Sequence, residues 1–184
     1  FGVTKKCNPD SSYGGKMNLY PDIYLDNVKE INMELLKKHD IRGLILDIDN
    51  TLIDYDKNIL EGAKEWCNNL KRQGIKMCIL SNTNKVYKVK KVADELSLEY
   101  EYFAHKPSKK GFRKAKELLK LECINIGVVG DQIFTDVLGG NRSNMKTILT
   151  KPIDQRDILI TRIKRPFEKI FINKYVKKKG AQEK

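Results

Sequence analysis

The 184-residue chain contains no apolar run of 18 residues, so no segment has the length of a membrane-spanning helix. Phe1 opens no charged-then-apolar leader, and no secretory signal is expected. The four cysteines, Cys7, Cys67, Cys78 and Cys123, include no CxxC pair. They form neither a zinc pattern nor a disulfide framework, and they suit a reducing compartment. Cys67, Cys78 and Cys123 read as core. The two histidines, His39 and His105, have no metal-spaced partner, and the single Trp66 reads as packing. There is no internal repeat and no long low-complexity tract. Acidic residues are the minority, 24 against 36 Lys and Arg, for a net charge of +12. With 40% hydrophobic residues the chain can still bury the core of about one domain. Such a basic balance fits nucleic acid, an anionic membrane or phosphorylated substrates.

The excess charge is unevenly placed. Residues 1–16 carry a net +2, residues 17–150 a net +3, and residues 151–184 a net +7 from eleven Lys and Arg against four Asp and Glu. Three parts are therefore expected: a flexible extension over 1–16, a folded domain over 17–165, and a basic tail over 166–184.

Within the folded part, apolar runs alternate with helical patterns. Gly43–Asp47, Ile75–Leu80, Ile124–Val129 and Lys146–Thr150 read as buried strands, and Tyr100–Ala104 as a weaker one. Leu60, Ala63, Cys67 and Leu70 recur at helical spacing with Gly74 as a stop; Val86, Val89, Ala93 and Leu96 mark a second helix. Ser108 caps a third, with Phe112, Ala115, Leu118 and Leu119 inward, and Phe134–Asn141 starts a fourth. This order predicts βαβ units, a parallel sheet and ligands at the carboxyl ends of the strands.

The polar motifs fall just after those strands. Asp47-Ile48-Asp49-Asn50-Thr51 follows the first and Ser81-Asn82-Thr83-Asn84 the second. Lys106-Pro107 follows the third, and Gly130-Asp131-Gln132-Ile133-Phe134-Thr135-Asp136 the fourth. Taken singly, the Asp pair also suits a solvated turn, the Ser-Asn-Thr an N-cap, and the lysine a surface. Four in this order, each at a strand end, make a constellation. Phosphoryl transfer needs such a set: an in-line nucleophile, a cation bridging phosphate oxygens, and positive donors around the equatorial oxygens.

The four-part pattern resembles the haloacid dehalogenase (HAD) superfamily of phosphohydrolases over about residues 20–165. The resemblance implies a capless, Rossmann-like three-layer α/β fold on a five-stranded parallel sheet, and a Mg²⁺-dependent phosphatase with an aspartyl-phosphate intermediate. It makes Asp47 the nucleophile and Asp49 the general acid and base, with the Asp49 carbonyl also on the metal. Asp47 and Asp131 would supply metal carboxylates, with Asp136 ranked behind them. Ser81, the Asn82 amide and Lys106 would bind phosphate, the first two aided by the helix N-terminus that follows. Thr51 would order its turn. An acid at Asp49 favours a phosphatase over a dehalogenase or a pump-like ATPase.

Only Leu52–Asn58 separates the first motif from the next helical pattern, and the second cap insertion point has no room either. An open site suits a phosphate carried on something large. Tyr20-Pro21-Asp22-Ile23-Tyr24, with the motifs above, resembles the YqeG-type subfamily IIIA phosphatases, whose mitochondrial relatives are phosphatidylglycerophosphate phosphatases. This implies hydrolysis of phosphatidylglycerophosphate to phosphatidylglycerol in the cytoplasm, peripherally on the inner membrane face. The alternatives are a phosphoprotein, nucleotide or sugar phosphate as substrate, or a non-catalytic module docking membrane or RNA. Leu159, Ile163, Phe167, Ile170 and Phe171 alternate with basic residues, with Pro166 between them. That stretch reads as an amphipathic element on an anionic membrane surface, or equally as a last helix packed on the sheet. No specific nucleic-acid partner is expected, and no oligomeric state is set.

Overall fold

The computed structural model describes residues 18–154. The extension over 1–16 and the basic tail over 166–184 lie outside the described residues.

Three apolar runs make the centre of a parallel sheet. β2 (Gly43–Leu46), β3 (Lys76–Leu80) and β5 (Ile126–Gly130) are buried almost throughout, as strands covered on both faces must be. β4 (Glu99–Glu101) pairs with β3, and β6 (Lys146–Thr150) with β5. The register sets Leu46 beside both Ile79 and Val129, so the central strands end level with one another.

The sheet has six strands, not the five expected, in the order β1-β6-β5-β2-β3-β4. The additional edge strand is β1 (Ile23–Leu25), with Ile23 opposite Ile148 and Leu25 opposite Thr150. At three residues beyond Pro21 it is too short to show a period. Its register is fixed by a side chain: Asp22 Oδ2 accepts from the Thr147 main-chain N–H at 2.8 Å.

Among the described residues five α-helices flank the sheet: α1 (Met33–Lys38), α2 (Ala63–Arg72), α3 (Val86–Leu96), α4 (Lys109–Leu119) and α5 (Leu138–Arg142). The alternation of β2 builds two cores. Leu44 and Leu46 pack with Trp66, Cys67, Val89 and Leu96, whereas Ile45 packs with Phe112, Ala115 and Leu119 on the other face. Trp66 closes the first core and donates its indole N–H to the Ile31 carbonyl at 2.8 Å. Cys67, Cys78 and Cys123 are buried and in no disulfide, and burial pushes the Cys67 thiol up to about 12. Ser108 caps α4 by accepting from the Lys110 N–H.

Some boundaries move. β4 ends at Glu101 rather than Ala104, because the chain turns away through positive φ at Phe103 and His105. Ile124 is exposed in a 3-10 turn before β5, and Val86, grouped with Val89, Ala93 and Leu96 by its spacing, is exposed on the first turn of α3. The segment after β5 opens with a single π-helical turn, Ile133–Val137, before α5 begins.

No helix among the described residues is long and apolar enough to cross a membrane.

Candidate active site

β2 and β5, which follow different crossovers, lie side by side, and ligands of open α/β sheets gather outside such a switch point. Asp47 continues β2, its N–H bonded to the Val129 carbonyl at 2.9 Å. Asp131 directly follows β5, and Asp136 returns to the same place on the π-helical turn. The three carboxylates are buried, and one oxygen of each lies within 4.8 Å of the other two.

Lys106 answers part of that charge. Its buried Nζ donates to Asp47 Oδ1 and to Asp136 Oδ1, both at 2.6 Å. Burial opposes the Lys106 ammonium, but Asp136 and Asp47 together outweigh it and raise its pKa above the usual lysine value. Asp47 shows the other side of the balance. Burial pushes it up to about 7 against the pull of Lys106, with Asp136 and Asp49 adding to the rise. Three buried carboxylates against one buried ammonium, with oxygen as the donor throughout, fit a hard divalent cation.

Asp136, ranked second from the sequence, is thus at the centre of the cluster. Its Oδ2 also accepts from the Gln132 N–H at 3.2 Å and the Thr135 hydroxyl at 3.3 Å. It fits only because residue 130 is glycine: a Cβ there would stand 2.3 Å from the Asp136 carboxyl carbon.

The Asp49 carboxylate lies outside that cluster. It is half-buried and pairs with Lys88 of α3, and with Lys57 at 3.7 Å. Ser81 is buried at the end of β3, and its Oγ accepts from the Thr83 N–H at 3.2 Å. The Asn82 carboxamide is bonded to the main chain of Lys106 at both ends. α3 begins only at Val86, so a loop separates Ser81 and Asn82 from the helix that follows them. Thr51 is buried, but its hydroxyl meets no hydrogen-bond partner among the described residues; main-chain bonds to the Ile48 carbonyl close that turn. The exposed ring of His105 rests on Phe103, centroids 4.0 Å apart.

Lys57 and Lys88 were not singled out from the sequence. A lysine in a turn, as Lys57, or on a helix, as Lys88, carries no signal of its own; the fold brings each to Asp49. The Gly130–Asp136 contact was equally hidden, although both residues belong to one motif.

Among the described residues no inserted domain covers the carboxyl ends of the strands. Residues 52–62 make only a short turn held by the bridges Asp49–Ile53 and Ile53–Ile59, and residues 102–105 alone separate β4 from Lys106.

Residues 15–154 match the family model described as mitochondrial PGP phosphatase. The chain belongs to this family of HAD phosphatases. It is 40% identical over 164 residues to the "Probable phosphatase YqeG" of Bacillus subtilis, covering 87% of this chain and 92% of that protein. It is 28% identical over 171 residues to "Phosphatidylglycerophosphate phosphatase 1, chloroplastic/mitochondrial" of Arabidopsis thaliana. That match covers 86% of this chain but 48% of the plant protein, so the chain spans about half of that relative. A solved, uncharacterized protein from Corynebacterium glutamicum shares the fold at a TM-score of 0.51, with 21% identity over 67% of this chain and 93% of the other. In this PGP phosphatase family member, then, the buried Asp cluster is the candidate catalytic and metal site.

Proposed function

We propose that this phosphatase is Mg²⁺-dependent, works through an aspartyl-phosphate on Asp47, and converts phosphatidylglycerophosphate to phosphatidylglycerol. The observation that carries the chemistry is the Lys106 bridge between Asp47 and Asp136, beside Asp131. One Asp47 oxygen bonds to Lys106, which fixes the carboxylate while an oxygen attacks phosphorus in line.

As the Asp47–phosphorus bond forms, the bond from phosphorus to the leaving oxygen breaks. Asp49 gives that oxygen its proton, then takes one from water, whose oxygen displaces Asp47 and frees inorganic phosphate. Ser81 and the main-chain N–H of Asn82 donate to the equatorial oxygens; the Asn82 side chain is already committed to Lys106. Lys106 offsets the charge that the phosphoryl group adds to the cluster. Asp47, Asp131 and Asp136 would hold the cation, with the main-chain carbonyl of Asp49 beside them. When bound, Mg²⁺ screens the phosphate and lets one anion approach another.

The lipid substrate is supported by the family's description and by the name of the plant relative. The surroundings of the site agree. Tyr55, Val86, Tyr87, Tyr102 and Phe103 are exposed on loops and the first helical turn at the carboxyl ends of the strands. Ile153 donates its N–H to the Asn50 carbonyl at 3.0 Å, so the chain leaves the described residues beside the first motif, with the basic tail still to follow. Aromatic and basic groups around an open site suit a substrate presented at an anionic bilayer, with the enzyme peripheral to it.

The test is kcat/KM across phosphatidylglycerophosphate, phosphatidic acid, a phosphopeptide, nucleoside monophosphates and sugar phosphates. The lipid bisphosphate should lead; a sugar phosphate or nucleotide in first place would overturn the substrate.

A further inference from the structure

Beyond Asp49 the open site continues into a cavity. A cavity of about 660 Å³ is lined by Asp49, Ile53, Asn82, Tyr87 and four lysines, Lys57, Lys85, Lys88 and Lys91. Asp49 is the only carboxylate in that lining, and Lys88 and Lys57 already pair with it. Among the described residues Lys85 and Lys91 have no carboxylate partner.

Three of the lysines belong to one element. Lys85 stands at the N-cap of α3, and Lys88 and Lys91 follow at three-residue steps, which places them one above another on the helix surface, about 4.5 Å apart along the axis. Lys88 meets Asp49, so Lys85 and Lys91 lie one step to either side of the general acid. Tyr87, which is exposed, gives the cavity apolar surface between these charges, with Ile53 and Val92 buried beneath.

The position matters because of what Asp49 does. A group that protonates the leaving oxygen touches it, and whatever that oxygen is attached to then occupies the cavity that Asp49 lines. We propose that this cavity holds a second phosphate-type anion carried on the leaving group, bound by Lys85 and Lys91, with the carbon linker against Tyr87. Lys85 and Lys91 are therefore the residues that would separate a substrate with a second phosphate on its leaving group from a plain phosphomonoester. This rests on the reading of Asp49 as the acid at the leaving oxygen.

The test uses three soluble probes: glycerophosphoglycerol phosphate, which is the deacylated lipid head group; a nucleoside 3′,5′-bisphosphate; and glycerol 3-phosphate, which has the monoester alone. The wild-type enzyme should prefer the head group over glycerol 3-phosphate by about tenfold or more in kcat/KM, through KM. In the double variant Lys85→Ala/Lys91→Ala that ratio should collapse toward one. A ratio that survives the double variant, or a wild type with no preference, overturns the cavity assignment. A stronger preference for the nucleoside bisphosphate keeps the anion site and overturns the lipid source.

A binding arm does not depend on turnover. Calorimetry of the head group with Asp47→Asn should show binding that weakens about tenfold on adding Lys85→Ala/Lys91→Ala. If no phosphate ester is turned over yet this lysine-dependent binding is found, the phosphatase reading fails and the cavity stands. If binding ignores the lysines, the cavity assignment fails whatever the activity.

Discussion

Asn82 holds both main-chain polar groups of Lys106: Asn82 Oδ1 accepts from the Lys106 N–H at 2.6 Å, and Asn82 Nδ2 donates to the Lys106 carbonyl at 3.1 Å. The clamp joins the loop after β3 to the loop after β4, and so sets the base from which the Lys106 ammonium reaches two carboxylates. Only a carboxamide offers a donor and an acceptor in that spacing. Asn82→Ala should lower stability by about 1–3 kcal/mol and reduce kcat more than it raises KM. Asn82→Asp keeps the acceptor, so it should lose less stability than Asn82→Ala. Thermal melts and steady-state kinetics of the two variants check this, and equal kinetics for Asn82→Ala and wild type would refute the positioning role.

Gly130→Ala puts a methyl group 2.3 Å from the Asp136 carboxyl carbon. One of the two must move, and Asp136 is also held by Lys106, Gln132 and Thr135. A loss of about 1–3 kcal/mol, together with a large fall in activity, is expected from denaturant titration and phosphate release. A variant as active and as stable as wild type would place Asp136 outside the chemistry.

The pH dependence of stability in the metal-free protein has a defined sign. Burial pushes Asp47 up to about 7 in the fold, against 3.8 for an aspartate in water. Between these values the folded protein holds a proton that the unfolded chain has released, so this group's contribution falls as pH rises through that window. Asparagine does not titrate. In EDTA, wild-type Tm should therefore drop more steeply from pH 5 to 8 than that of Asp47→Asn, which should be the more stable protein at pH 8. Parallel profiles would contradict the burial-driven rise at Asp47.

Much of the site was legible because polar residues interrupt apolar runs at fixed places: Asp47 ends the first run, Ser81 the second, and Asp131 follows the last glycine of β5. Those breaks record where strands stop, which in a parallel sheet is where ligands bind. What stayed hidden depends on tertiary structure. β1 is held by pairing to β6 and by Asp22, not by a period of its own. Asp136 reads as a second acidic residue of its motif until the π-helical turn brings it back to Lys106. Lys88 and Val86 share the first turns of α3, and nothing in their spacing tells that one meets Asp49 and the other is exposed.

Divalent cation should bind the folded protein through the buried carboxylates. Activity should vanish in EDTA and return with Mg²⁺, and Mg²⁺ at 100 times its Kd should stabilise the fold by about 3 kcal/mol. Asp131→Asn should lose most of that thermal shift. Full activity in EDTA would remove the metal from the reaction.

Phosphate release by Asp47→Asn in saturating Mg²⁺, measured beside its thermal melt, bears most directly on the assignment of the nucleophile. With Asp47 forming the bond to phosphorus, turnover should fall by roughly 10³-fold or more while the fold remains intact. Turnover near the wild-type rate in a folded Asp47→Asn protein would contradict it.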